Sequence, residues 1–128
     1  MSREIIFFDS ANRIASVNSP LIRVLEGETY RGLWLFLSIT ASDGTSEVMD
    51  IQIQRLDPAS AIWVDIPGAA FVTLTSGTGV AEMMIHPSMT AAAAVVIKEP
   101  AGGNMRAEMV LGGTSPEFTF SLGGLLLN

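Results

Sequence analysis

The chain has 128 residues, enough for one domain with one real core. It contains no Cys, which excludes disulfides, thiolate metal sites and Cys nucleophiles, and makes cytosolic synthesis the simpler expectation. Net charge is −6 with a pI near 4.5, and only 16% of residues are charged against about 25% in ordinary domains. Six of the seven positive residues are Arg, and they are scattered along the chain. No basic stripe is available to neutralise phosphates, so nucleic acid is not an expected partner. Mean hydropathy is +0.42, high for a small soluble monomer, and it suggests apolar surface covered by another subunit.

The N-terminal stretch Met1–Asp9 holds a four-residue apolar run, Ile5-Ile6-Phe7-Phe8, too short for a signal peptide core. No apolar run approaches the ~20 residues that span a bilayer, so no membrane partner is expected. Residues 1–20 read as an N-terminal arm laid on a neighbouring subunit, or as an edge strand buried on both faces. Residues 21–128 read as a single β domain.

From residue 21 onward the period is two. Leu21–Leu25 is a short strand closed by a turn at Glu26-Gly27-Glu28. In Tyr30–Thr40, Leu33, Leu35, Leu37 and Ile39 share one face, while Trp34 and Phe36 lie on the other, which is therefore not fully solvated. Ser42-Asp43-Gly44-Thr45 has the chemistry of a hairpin turn. Met49, Ile51 and Ile53 point inward on the next strand, with Asp50, Gln52 and Gln54 toward water. Asp57-Pro58-Ala59-Ser60 is a turn, and Ile62–Ile66 is a strand closed by Pro67-Gly68. Phe71–Thr75 and Val80–Ile85 flank Ser76–Gly79. Thr90–Glu99 carries four Ala and predicts at most one helical turn, near residues 90–97. Met105–Leu111 and Phe118–Leu122 then make a last hairpin across Gly112–Pro116. The expected fold is all-β: an antiparallel two-sheet sandwich, immunoglobulin-like or jelly-roll.

Candidate chemistry is sparse. His86, the only His, stands next to Pro87 and reads as a turn residue. Asp43, Asp50, Asp57, Asp65 and Glu82 are dispersed over turns and strand faces, whereas a glycosidase needs two carboxylates across a cleft. Gly77-Thr78-Gly79 and Gly112-Gly113 lie between strands, and phosphate loops open helices. No catalytic, cofactor or metal residue is expected, and the chain reads as a non-enzyme. Trp34, Trp63 and Tyr30 admit a sugar-stacking role, but aromatics and the seven Met equally suit a core or a protein interface. The candidate interface residues are Ile5, Phe7, Phe8, Trp34, Phe36, Leu125 and Leu127.

From Val48 onward the sequence resembles a family of small structural proteins of tailed bacteriophages. The matching features are Leu56-Asp57-Pro58-Ala59-Ser60 followed by Trp63, then Thr75-Ser76-Gly77-Thr78-Gly79-Val80, Pro87–Ala91, Arg106, and Gly112 through Gly123. His86 and Ser88 replace an aromatic and a Gly usual in the family, and Asn104-Met105 precede Arg106 where a Trp is common. The resemblance implies a virion protein with no enzymatic site. It suggests a capsid decoration (cement) protein, bound to the major capsid protein on the capsid surface as a homotrimer. A neck or tail component is the nearest alternative, and a carbohydrate-binding module of a receptor-binding structure the next.

Overall fold

The computed structural model describes residues 3–23, 31–92, 95–99 and 103–127. The expected turn at Glu26-Gly27-Glu28, Tyr30, residues 93–94 of the alanine run and residues 100–102 lie outside them. The described chain is all-β, with strands β1 (Arg3–Arg13), β2 (Val17–Asn18), β3 (Ile22–Arg23), β4 (Gly32–Leu56), β5 (Trp63–Ala70), β6 (Gly79–Ile85), β7 (Val96–Ile97) and β8 (Asn104–Leu127). No helix occurs among the described residues. Where a helical turn was expected, Val96 and Ile97 instead form β7, parallel to Met84 and Ile85 of β6. The β-branched pair at the end of the alanine run prefers the pleated sheet.

Two long strands organise the molecule. β4 runs antiparallel to β8 along nearly its whole length, from Gly32 opposite Leu127 to Arg55 opposite Met105. The two expected hairpins, at Asp43-Gly44 and at Gly112–Pro116, are therefore absent. Both segments lie side by side in the middle of one two-stranded ribbon, where Thr45 faces Thr114 and Val48 faces Gly112. The turn chemistry is real, but it bends the ribbon instead of reversing the chain. Gly44 has φ +125° and Gly113 φ +101°, and Ser46 and Ser115 are also left-handed. A Cβ on Gly113 would sit 2.6 Å from the Ser46 carbonyl oxygen, and one on Gly44 would sit 2.8 Å from that of Ser115. The two backbones approach this closely only because both residues lack a side chain.

The corner separates two limbs. The first pairs residues 32–39 of β4 with 120–127 of β8, and the second pairs 48–55 with 105–112. Bulges adjust the pleat between them. β4 gains a residue between Ile39 and Ala41 and another between Thr45 and Val48, and β8 gains one between Glu117 and Thr114. Each bulge switches the facing of the residues beyond it. Two on β4 cancel, so odd residues are buried in both limbs: Leu33, Leu35, Leu37 and Ile39, then Met49, Ile51 and Ile53. One on β8 does not cancel, so Met105, Ala107 and Met109 give way to Phe118, Phe120 and Leu122. One continuous face of the bent ribbon thus becomes the core.

The rest of the chain lines the ribbon on both sides. β1, β2 and β3 pair in turn along β8. β5, a bridge from Leu74 to Met49, and β6 pair in turn along β4. All eight strands belong to one hydrogen-bonded sheet, mixed because β7 is parallel; it is not closed and does not divide into two separate sheets. The limbs still meet: Arg55 of the second pairs with Glu99, just past β7, at 3.6 Å. Ile97 of β7 packs over Gly68 of β5.

Three local expectations also change. Phe71–Thr75 is not a strand and makes only an isolated bridge, Leu74 to Met49. Pro67-Gly68 does not end its strand; β5 continues to Ala70 through a wide bulge, since Gln54 faces Asp65 but Gln52 faces Ala70. The Gln52 side chain serves that bulge, its Nε2 lying 2.9–3.1 Å from the carbonyl oxygens of Ile53, Ile66 and Ala69. Gln52 and Gln54 were expected to point to water, but Gln52 is half-buried and Gln54 is buried, because both satisfy polar groups at this bulge.

Candidate functional site: an apolar outer face

In the first limb the residues opposite the core face form a second apolar surface. The strand order there is β1, β8, β4, β6, β7. Register places Glu4, Leu125, Trp34, Met84 and Val96 in one row across the strands. The next row is Ile6, Gly123, Phe36 and Glu82. Trp34 and Phe36 are half-buried, with ring centroids 5.0 Å apart. Ile6 is 57% exposed, and Val80, farther along β6, is 75% exposed. Aromatic and Met side chains gathered on one sheet face have the composition of a protein interface core.

The second limb is different outside. There Asp50, Gln52, Gln54, Asp65, Arg106 and Glu108 occupy the face opposite the core, with Val110, 46% exposed, opposite Asp50. Arg106 Nε donates to Gln54 Oε1 at 2.8 Å, and Gln54 Nε2 donates to Asp65 Oδ1 at 2.8 Å. The Arg106 guanidinium lies 4.4 Å from the Trp63 ring centroid. Thr73 Oγ1 donates to Asp50 at 2.6 Å. This face is knitted together by its own polar groups, and one side of the Trp63 ring is already occupied by an Arg.

Of the candidate interface residues, Trp34, Phe36 and Leu125 come together on the apolar outer face, and Leu127 lies at the end of the same strand. Ile5, Phe7 and Phe8 do not join them. They are 7%, 1% and 3% exposed and belong to the chain's own core, because β1 is a paired strand of the sheet and not a free arm. The alternation Ile5-Ile6-Phe7 sends Ile6 outward. Ile6 and Met84 were missed by sequence reasoning. Their signal was parity: each is flanked by core residues, Ile5 and Phe7 in one case, Met83 and Ile85 in the other.

A bulge between Phe8 and Ala11 reorients the end of β1. Arg13 fills it, its guanidinium 4.8 Å from both the Phe8 and Phe120 rings. It donates to the carbonyl oxygens of Asp9, Ala11 and Phe120. Burial holds its pKa below the ordinary Arg value, against the opposing pull of the Asp9 carboxylate.

The carboxylates singled out in the sequence stay apart. Asp43 accepts from the Gly44 N–H at the corner. Asp57 accepts from the Ala59 N–H and the Ser60 hydroxyl, and these bonds hold its pKa below the usual carboxylate value. Asp50 and Asp65 belong to the polar face, and Glu82 stands beside Phe36. No group of three or more His, Asp or Glu able to hold a metal occurs among the described residues. His86 is half-buried against Gly32, and its Nδ1 accepts from the Ser88 N–H at 3.1 Å. Gly77 lies in a strand connection, its N–H bonded to the Ser42 hydroxyl. Beside it an open groove of about 280 Å³ is lined by Leu37, Ile39, Val72, Leu74 and Val80.

No protein-family model, curated protein or solved structure matches the chain.

Proposed function

We propose that this protein is a non-enzymatic structural component of a tailed-phage virion, a capsid decoration protein that docks on the outer shell and steadies the junctions between capsomers. The observation that carries the reading is the contrast between its two outer faces. The first limb presents Ile6, Trp34, Phe36, Met84 and Leu125 between Glu4 and Glu82 at its edges; the second presents Val110 beside a self-satisfied polar network. A domain polarised in this way has one side to bury and one to leave in water. The acidic net charge and the resemblance in the segment from Val48 support the same reading. In it, the two limbs act as the layers of the sandwich expected from the sequence, folded from one sheet.

Apolar burial at about 25 cal/mol per Å² becomes considerable when one contact repeats over a shell. The test is cosedimentation with expanded heads of the phage that encodes the chain, followed by calorimetry of those heads. Saturable binding with a raised melting temperature is the expected result. Binding to tail tubes alone would move the protein to the tail, and no association with any particle fraction would refute the proposal.

A further inference from the structure

We propose that the apolar face of the first limb pairs with the same face of a second copy of this chain, about a twofold axis running along the strands between β4 and β8. The inference rests on the virion reading and gives this face to a sister copy, leaving the other surfaces of the dimer to meet the shell.

The register makes the face self-complementary, as an isologous contact requires. Gly123 points outward between Ile6 and Phe36, so a notch without a side chain lies directly beside an aromatic knob. Rotation about the stated axis exchanges β8 with β4 and β1 with β6. Phe36 of each copy then enters the Gly123 notch of the other, and Trp34 lies over Leu125. Ile6 meets the aliphatic stem of Glu82, and Met84 meets that of Glu4. The two acidic groups stay at the rim, where carboxylates keep their water.

The size also fits. Four strands overlap under that rotation, β1, β8, β4 and β6; spaced about 4.8 Å apart, with the seven residues of β6 at about 3.3 Å rise, they give a footprint of about 450 Å². Side-chain relief raises the accessible area buried toward the roughly 800 Å² per partner of a standard interface. Sheets that pack face to face in this way stand about 10 Å apart with their side chains interleaved.

The experiment is sedimentation equilibrium of the full chain and of two variants, each checked for an unchanged far-ultraviolet circular dichroism spectrum. Phe36→Asp puts a charge on the knob. Gly123→Val fills the notch, and the fold has room for it: a Cβ there meets only the Ile5 carbonyl oxygen, at 3.5 Å. The expected result is a dimer for the native chain, weakened at least tenfold by either variant. A monomer up to about 100 μM, above the dissociation constants of stable specific pairs, would overturn the pairing. So would a trimer, or a dimer indifferent to both changes. A monomer that still binds heads would remove the twofold contact and leave the virion reading standing. A dimer that ignores heads would do the reverse.

Discussion

Replacing Gly113 by Ala is expected to cost about 3–5 kcal/mol, enough to lower the melting temperature of a domain this size by roughly 10 °C or more. Two costs combine. At φ +101° an L side chain is strained whatever the space around it. The new methyl would also stand 2.6 Å from the Ser46 carbonyl oxygen and 2.9 Å from that of Thr45. These are backbone atoms of the partner strand, so relief requires the two long strands to separate at the bend. The whole domain depends on that bend, because it turns one face of a 25-residue strand into both sides of a single core. Thermal unfolding followed by circular dichroism measures the effect. Gly77→Ala is the control: its φ is also positive, but nothing lies within 4 Å of the added carbon, so its loss should be clearly smaller.

Phe120→Ala is the second large effect, also expected at about 3–5 kcal/mol. Phe120 is fully buried in the core face of β8, and its ring meets Phe8 edge-on with centroids 5.3 Å apart. Removing it opens a cavity, breaks the aromatic pair and takes away one of the two rings over which Arg13 sits. The N-terminal strand should loosen first, since Arg13 fixes the bulge at its end. Phe36→Ala, on the opposite face of the same sheet, should cost the isolated chain about 1 kcal/mol or less, since that ring is only half-buried. Denaturant melts of both variants, run at low concentration, separate the two faces: a large loss at Phe120 with a small one at Phe36. Equal losses would mean that the outer face is as structural as the core.

Most of the strands were legible in the sequence and most of their connections were not: the turn at Asp57–Ser60 was, but Phe71–Thr75 makes only an isolated bridge at Leu74. Period-two alternation located the buried residues of β4 and marked β6 and β8 as strands, because a half-buried pleat imposes that pattern on each strand locally. It could not say whether Asp43-Gly44 reverses the chain. Left-handed glycine serves a hairpin turn and a ribbon corner equally well, and the choice was made by Gly113 and Ser115 some seventy residues away, facing it across the pair. Pro67-Gly68 misled for a related reason: the amide of Gln52 satisfies the bulge carbonyls, so the strand passes through residues that would otherwise stop it. At the candidate site, Trp34 and Phe36 were visible as apolar residues on the wrong side of their strand, and Leu125 as part of the apolar run Leu125–Leu127. Ile5, Phe7 and Phe8 were misplaced because an apolar run of four hides which of its members face outward. Gly123 gave no signal at all, since a notch exists only between neighbours on other strands.

The most direct test is the fluorescence of Trp34 in a Trp63→Phe variant, where it is the only tryptophan left. If the outer face of the first limb is a docking surface, emission moves to shorter wavelength as protein concentration rises or as purified heads are added. An emission maximum that stays fixed through both titrations would mean that this face remains in water, and would contradict the account.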